Sequence, residues 1–410
     1  MSSGTAAPTS TAQVRASRRE ELPHRLPGID VLRALAASAV VLFHVVLWPW
    51  AYAGDPGWIG KVWRSIGQIG PWGVGVFFVL SGTCIHLPVA RRLARGFEPA
   101  LDRGSYFRRR FRRIYPPHLL VIFLSWATAA LVTMPSWYQN ADHYVSVPTP
   151  GQLFAHLFML HSFVPGARNS ICNVLWTIAL EAHFYLLYPL LLRMRRRCRM
   201  ETICAGLFAV MVALRLLDKV LPLSLAGVMT GNFLGRWWEW VLGAVIAERL
   251  VRARQGETSR WLAIGLTLAS AVVACAVAKL PHGILILYVC CPFLYGAVVF
   301  AMARMKAPSR WGLDRGLGWV GVRSYSLYLT HPMALTLVAW LTASGWPAWS
   351  TVALALAAAY SVGWIYFVTV ESRFLSPARP REEAGGMLEA VGSLAGPRSL
   401  GLKEREIWPK

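Results

Sequence analysis

The sequence predicts an all-α integral membrane protein in which about ten transmembrane helices form one bundle. Of its 410 residues, 55% are hydrophobic and only 15% are charged, whereas a soluble domain carries about 25% charged residues. The 19 tryptophans suit the aromatic belts that form at membrane–water interfaces. A large soluble enzyme with an apolar core is the alternative, but it does not explain why one stretch after another approaches the ~20 residues that span a bilayer.

The predicted helices follow the apolar stretches along the chain. They lie near residues 30–50, 70–89, 116–133, 174–192, 202–217, 234–250, 261–279, 283–303, 320–341 and 348–370. Between the third and fourth helices, residues 152–166 are apolar but too few to span, so we expect a re-entrant or interfacial segment there. Residues 26–376 thus form the predicted transmembrane domain, flanked by a disordered basic tail at 1–25 and a disordered cytoplasmic tail at 377–410.

The net charge of +22 is distributed asymmetrically. With the N-terminus in the cytoplasm, the inner segments hold 35 of the 42 Lys and Arg residues. This positive-inside pattern predicts that both termini are cytoplasmic and that the protein is a multi-pass protein of the plasma membrane. The charge is therefore a signal of topology and of contact with anionic membrane lipid, and no nucleic-acid partner is predicted.

The first predicted helix, "GIDVLRALAASAVVLFHVVLWPW", carries Arg33 and His44 eleven residues apart. At 3.6 residues per turn both project from one face, and the helical rise separates them by ~16 Å. A charged group inside the bilayer costs at least ~2.5 kcal/mol, so such groups usually face a protein cavity and mark a pathway or a site. Alone, Arg33 could snorkel to the membrane boundary and His44 could simply hydrogen bond to another helix; together on one face they favour function.

The helix "LWTIALEAHFYLLYPL", residues 175–190, supplies a carboxylate at a matching depth. Glu181 lies ~10 Å below the outer end of its helix, and His44 lies ~8 Å below the outer end of the first helix. A carboxylate beside an imidazole fixes its tautomer and raises its basicity, which is what a general base needs to take a proton from a hydroxyl. The alternative is a buried hydrogen-bond network that only holds two helices together.

An arginine cluster, "YFRRRFRRIYPPHL", precedes the third predicted helix at the cytoplasmic side. Arg110 and Arg113 share a helix face at i, i+3, and such a pair can bind pyrophosphate through charge-assisted hydrogen bonds. The positive-inside pattern alone would also explain these arginines.

Further polar residues of the predicted transmembrane domain are candidates to support the site. They are Asp30, Ser81, His161, Tyr328 and His331. Packing is the competing interpretation for Tyr328 and His331 and above all for Ser81 in "GVGVFFVLSG", where the small residues favour close helix contact. His161, in the apolar segment at 152–166, could equally be an interfacial histidine. The seven cysteines form no CxxC pair or Cys/His cluster at the spacing of metal ligands, so no metal site is predicted.

Six motifs follow one another in a recognisable order. They are "IDVLRALAASAVVLFH", "FFVLSG", "RRRFRRIYPP", "LWTIALEAHFYLLYP", "SYSLYLTHP" and "VESRF". In them the chain resembles the acyltransferase 3 family of integral membrane O-acyltransferases, over roughly residues 26–376. Many members of that family carry Glu-Glu-Gln where this chain has Glu181, Ala182 and His183, so a role that needs a second acid does not carry over.

The resemblance implies transfer of an acyl group, often acetyl, from acyl-CoA to a hydroxyl of a carbohydrate, lipid-linked glycan or glycosylated small molecule. It implies that His44 is catalytic, that Arg110 and Arg113 bind the CoA phosphates together with Arg33, and that acyl-CoA is a co-substrate with no resident cofactor. A transporter or flippase that uses the buried charges as a substrate or proton pathway is the alternative function.

Overall fold

The apolar stretches of the chain fold into helices, as the composition predicts. The computed structural model describes residues 26–46, 69–132, 145–217, 232–253, 256–305, 313–342 and 346–375. Within these residues the only β-structure is two isolated bridges, Val145 with Cys172 and Thr258 with Met305. The all-α prediction is confirmed for this part of the chain, while the predicted tails at 1–25 and 377–410 lie outside it.

The helices are numbered here in chain order. They are α1 Pro27–Val46, α2 Gly70–Ala94, α3 Arg103–Leu131, α4 Pro150–Leu157, α5 Leu175–Arg195, α6 Met200–Leu217, α7 Phe233–Arg252, α8 Arg260–Ala278, α9 Gly283–Val289, α10 Cys291–Ala303, α11 Leu313–Val322, α12 Ser324–Leu341, α13 Ala348–Tyr366 and α14 Ser372–Phe374. A π-helical turn, Phe367–Glu371, joins α13 to α14.

Seven helical segments among the described residues are long and apolar enough to cross a membrane. They are α1, α2, α3, α5, α6, α8 and the segment Trp349–Phe374. In α6 and α8 only 22% and 28% of the spanning window is buried, which suits helices whose apolar side chains face lipid. The count of ten spans and the cytoplasmic placement of the termini stay predictions.

Two predicted helices are interrupted in the structure. The span predicted at 283–303 is two helices, α9 and α10, because Pro292 has no backbone N–H to continue the hydrogen-bond ladder of α9. The span predicted at 320–341 is likewise divided at Arg323, between α11 and α12.

The third helix is longer than predicted. It begins at Arg103, where the carboxylate of Asp102 accepts a hydrogen bond from the backbone N–H of Ser105. The arginine cluster therefore lies within α3 itself and not before it. Helical geometry then fixes which of its arginines face the bundle.

Glycines allow α2 and α7 to pack with their backbones in contact. A side chain at Gly82 would collide with the carbonyl oxygen of Trp240, and one at Gly243 would collide with that of Val79. Thr83 adds a hydrogen bond from its hydroxyl to the carbonyl of Gly243, at 3.0 Å. This close contact agrees with the packing interpretation of the "GVGVFFVLSG" motif, and it brings Ser81 of α2 next to α7.

Helix α1 lies inside the bundle, where it packs against α2, α11 and α12. Most of its residues are buried, including Asp30 near its start and His44 near its end. Both polar ends of this helix therefore face protein and not lipid.

Candidate active site

Two histidine rings meet inside the bundle where α1 packs against α12. His44 and His331 are both buried. The Nδ1 atom of His44 lies 3.2 Å from Nε2 of His331, and the ring centroids are 4.9 Å apart. His331, which the sequence suggested only as a supporting residue, is thus a direct neighbour of the predicted catalytic residue.

Backbone carbonyls determine which nitrogen of each ring carries the hydrogen. Nδ1 of His44 lies 2.9 Å from the carbonyl oxygen of Val40, and Nδ1 of His331 lies 3.2 Å from that of Leu327. Because a carbonyl oxygen only accepts, Nδ1 must be the donor in both rings. In the neutral rings the lone pair is therefore on Nε2, and that of His331 faces the Nδ1–H of His44.

Tyr328 connects this histidine pair to helix α5. Its ring centroid lies 5.9 Å from that of His331, and its hydroxyl lies 2.8 Å from that of Thr177. On its other side it meets Phe77 of α2, edge to face. The predicted supporting residues Tyr328 and His331 thus lie together with His44.

Glu181 lies in a different hydrogen-bond network. Its carboxylate accepts hydrogen bonds from the hydroxyl of Ser81, at 2.8 Å, and from the hydroxyl of Tyr185. Ser81 in turn accepts one from the indole N–H of Trp240, at 3.1 Å. The sequence paired Glu181 with His44 because their depths match. In the structure Glu181 accepts hydrogen bonds from Ser81 and Tyr185, whereas His44 contacts His331.

Arg33, eleven residues before His44 on α1, is half-buried and bonded to two groups. Its guanidinium forms an ion pair with Asp30 of the same helix, at 3.2 Å, and lies 3.3 Å from the sulfur of Cys84 in α2. It also interacts electrostatically with Glu181 and Tyr185. The structure therefore brings Arg33 to the Glu181 network and not to His44.

The arginines of α3 divide into an exposed face and an inward face. Arg108, Arg109 and Arg112 are exposed, whereas Arg110 and Arg113 are only half-exposed. The i, i+3 spacing predicted this face, because positions three apart lie one above the other on a helix.

Aromatic rings hold the guanidinium group of Arg110. Its Cζ lies 5.9 Å from the ring centroid of Tyr106 and 5.6 Å from that of Tyr185, distances at which cation–π attraction operates. Its Nε is buried and has no hydrogen-bond partner among the residues that the structure describes. Tyr185 therefore connects Arg110 to Glu181.

Arg113 is fixed by a carboxylate near the end of the described chain. Its Nη2 lies 3.6 Å from Glu371, and its Cζ lies 5.6 Å from the ring centroid of Tyr325. Glu371 is buried and also accepts hydrogen bonds from the backbone N–H and the hydroxyl of Ser326, at 3.2 and 2.5 Å. Because Glu371 also interacts electrostatically with Arg33, the three predicted acyl-CoA ligands lie around one region.

His161, which follows the short helix α4, lies in a stack of three imidazoles. Its ring is parallel to that of His156, with centroids 3.8 Å apart, and His118 stacks beyond at 6.5 Å. Burial lowers the pKa of His161 to about 2, so its ring is neutral near pH 7. Despite this stack, the described residues contain no group of three or more metal-binding side chains placed to hold an ion.

Sequence reasoning missed Tyr185 and Trp240 as parts of the site. Tyr185 could have been found, because it lies four residues after Glu181 on one helix and side chains at that spacing meet. Trp240 could not, because its contact with Ser81 depends on how closely α7 approaches α2.

Comparison with known proteins places the chain in a family. The acyltransferase domain model of the acyltransferase 3 family matches residues 26–368. The chain belongs to this family. The matched region contains every site residue that the sequence predicted, from Asp30 to His331, and stops just before Glu371.

Three curated relatives show what the chain is similar to. YrhL of Bacillus subtilis (strain 168), named a putative peptidoglycan O-acetyltransferase, is 26% identical over 355 residues, which cover 75% of this chain and 48% of YrhL. Acyltransferase MdmB of Streptomyces mycarofaciens is 26% identical over 334 residues, 76% of this chain and 79% of MdmB. O-acetyltransferase OatA of Staphylococcus aureus (strain NCTC 8325 / PS 47) is 26% identical over 190 residues, 42% of this chain and 25% of OatA.

The chain thus spans about half the length of YrhL and a quarter of that of OatA. No solved structure matches it.

Proposed function

We propose that this protein is a membrane O-acyltransferase that moves an acyl group, preferentially acetyl, from acyl-CoA to a hydroxyl group. The acceptor is a carbohydrate, a lipid-linked glycan or a glycosylated small molecule. Membership of the acyltransferase 3 family and the names of two O-acetyltransferases among the relatives support the reaction class. The observation that carries the mechanism is the buried His44–His331 pair.

In the proposed reaction His44 is the general base. Its Nε2 takes the proton of the acceptor hydroxyl while the hydroxyl oxygen attacks the thioester carbonyl of acyl-CoA. The resulting tetrahedral intermediate collapses with cleavage of the carbon–sulfur bond, which forms the ester and releases CoA. The imidazolium of His44 then returns the proton to the CoA thiolate, so that the enzyme ends in its starting state.

His331 is a positioning residue in this scheme. Its Nε2 lone pair faces the Nδ1–H of His44 at 3.2 Å, and that contact holds the His44 ring in the tautomer whose Nε2 is basic. It also places electron density next to the proton-bearing nitrogen as His44 becomes charged. His331 thus takes the orienting role that the sequence gave to Glu181.

Arg33, Arg110 and Arg113 bind the phosphate groups of acyl-CoA in the proposal. Planar guanidinium groups suit phosphate because they offer two parallel N–H donors. Arg33 and His44 are separated along α1 by eleven residues, or ~16 Å, a distance that the extended pantetheine arm of the donor spans.

Glu181 acts on the donor side of the site in this arrangement. Its carboxylate holds the hydroxyl groups of Ser81 and Tyr185, and the Tyr185 ring in turn supports the guanidinium of Arg110. We therefore propose Glu181 as a residue that positions the acyl-CoA path and not as the partner of His44.

The decisive experiment follows the acyl group in purified protein. The full chain in detergent, supplied with radiolabelled acetyl-CoA and a cell-wall or metabolite extract, is expected to transfer label, and His44→Ala is expected to abolish transfer. His282→Asn, which changes an exposed histidine, is the matched control and keeps full activity. Transfer by His44→Ala at the wild-type rate would refute the assignment, provided that the variant elutes and melts as wild type does.

The same assay separates the proposal from transport. Consumption of a thioester in detergent needs neither a gradient nor a closed vesicle, whereas a flippase would show no chemical product. Mass spectrometry of glycans and small metabolites from a deletion strain then identifies the acceptor by loss of an acyl increment of defined mass.

A further inference from the structure

A second group of arginines lies near the start of helix α5, away from Arg110. Its members are Arg168, Arg215, Arg236, Trp176 and Tyr288, here called the Arg168 cluster. On α5, Trp176 precedes Tyr185 by nine residues, which corresponds to ~14 Å along the helix. The cluster is therefore distinct from the three proposed acyl-CoA ligands.

Aromatic faces hold the guanidinium groups of this cluster. The Cζ of Arg168 lies 4.3 Å from the ring centroid of Trp176. The Tyr288 ring receives two arginines, with the Cζ of Arg236 at 4.3 Å and that of Arg215 at 5.1 Å. Arg168 also interacts electrostatically with Tyr288, so the three side chains gather around one phenol.

Arg168 and Arg236 differ in their partners among the described residues. Arg236 forms an ion pair with the buried Glu239, with Nη2 2.9 Å from Oε2. Arg168 has no such ion pair there, and its Nε is buried without a hydrogen-bond partner. Burial lowers the pKa of Arg168, and the positive charges of Arg236 and Arg215 lower it further. Bringing these cations together costs free energy that an anion would return.

The cluster and the histidine pair both connect to the first turn of α5. Thr177, the residue after Trp176, hydrogen bonds to Tyr328, and Tyr328 contacts His331 beside His44. A molecule bound at Trp176 would therefore lie at the level of the histidine pair along α5. The acyl-CoA ligands lie further along the same helix.

We propose that the Arg168 cluster binds an oxyanion, a phosphate or a carboxylate, carried by the acceptor. This inference rests on the proposed function and names the chemical class of its acceptor. A guanidinium that lies flat on a ring keeps its N–H edge available, and that edge pairs with two oxygens of an oxyanion at once. The acceptor is therefore an anionic molecule whose charged group is held by Arg168 while its hydroxyl reaches His44.

Pyrophosphate is the probe for this site. Because Arg33, Arg110 and Arg113 would also bind it, the measurement uses the full chain carrying Arg33→Gln, Arg110→Gln and Arg113→Gln, purified in detergent at constant ionic strength in chloride. The thermal midpoint is recorded against pyrophosphate concentration, since a ligand that binds only the folded protein stabilises it in a saturable manner. This gives an apparent Kd without any acyl transfer.

Arg168→Gln in this background is expected to weaken the apparent Kd at least about tenfold, the loss typical of one charge-assisted contact. The matched control is Arg260→Gln, which also removes a guanidinium from a tryptophan face, 5.0 Å from Trp261, on the exposed surface. It is expected to leave the Kd unchanged. If Arg168→Gln does not fold, Arg168→Lys tests the same contact, because it keeps the positive charge and removes the planar guanidinium group with its paired N–H donors.

Equal Kd values for the Arg168 and Arg260 variants would overturn the inference. Native mass spectrometry tests the other source of phosphate, a lipid headgroup. If Arg168→Gln loses a co-purified phospholipid but binds pyrophosphate as before, the cluster is a lipid headgroup site and the inference about the acceptor is overturned. Because neither readout uses thioester chemistry, failure here is separable from failure of the His44 assignment.

Discussion

Arg110→Gln tests whether the inward face of α3 recognises the nucleotide end of the donor. We expect KM for acetyl-CoA to rise about tenfold to a hundredfold, because a hydrogen bond to a charged group contributes about 1.5–3 kcal/mol and 1.4 kcal/mol corresponds to a factor of ten. Within the described part of the chain the buried Nε of Arg110 has no hydrogen-bond partner, so the change removes no hydrogen bond seen there at that atom. The lost contacts with Tyr106 and Tyr185 affect the stability of the fold, by about 0.5–1 kcal/mol each.

Two controls make this prediction specific. Arg109→Gln removes the same charge from the adjacent, exposed position of α3 and is expected to change KM less than twofold or so, since exposed charges contribute little and are screened by salt. Acetyl-pantetheine, a donor without the nucleotide phosphates, should be used equally well by wild type and Arg110→Gln. The assay is initial-rate acyl transfer by purified protein with either donor. A similar rise in KM for Arg109→Gln, or for acetyl-pantetheine, would refute a phosphate contact by Arg110.

Two further substitutions test the histidine pair and the helix packing. His331→Ala should lower kcat about tenfold and leave KM for acetyl-CoA unchanged, because it removes one buried hydrogen bond to His44 and no contact with the donor. The control is Thr330→Val, which changes a buried hydroxyl that hydrogen bonds to the Ser326 carbonyl of the same helix and should change neither parameter. An equal loss of activity in the two variants would contradict the positioning role of His331. Gly243→Ala should destabilise the protein by about 1–3 kcal/mol in thermal unfolding, because its methyl group would collide with the backbone of Val79. Gly265→Ala, in a helix position with open space, should not destabilise it, and equal melting of the two glycine variants would contradict the backbone contact between α2 and α7.

Periodic apolar stretches were sufficient to predict most helices but not their interruptions. The helix at 175–195 lies within a few residues of its prediction because most of its residues are apolar and its last turn is basic. Pro292 was visible in the sequence, yet its effect depends on whether the neighbouring helices supply partners for the freed backbone groups. The early start of α3 at Arg103 escaped prediction because a search for apolar residues stops at a run of arginines that a helix tolerates well.

Positions along a helix are easier to predict than neighbours across helices. Depth follows from a fixed rise per residue, so His44 and Glu181 could be compared without a structure. Which side chains meet depends on the rotation and packing of each helix, and here rotation directs Glu181 to Ser81 and His44 to His331. Within one helix, side chains three residues apart lie on the same face, which is why the shared face of Arg110 and Arg113 could be predicted.

The buried charges of this bundle separate into two groups by the kind of partner they have. Arg236 with Glu239 and Arg195 with Glu248 are ion pairs between protein groups, and such pairs satisfy each other without a substrate.

Arg110 and Arg168 differ, because their contacts among the described residues are with aromatic rings and not with an opposite charge. A desolvated charge without a counter-charge is costly, and a protein keeps it where a ligand or reaction uses the charge. The two arginines also follow one another along α5, with Arg168 at Trp176 and Arg110 at Tyr185. That order is the one expected if an anionic acceptor and an acyl-CoA donor enter from opposite ends of the bundle.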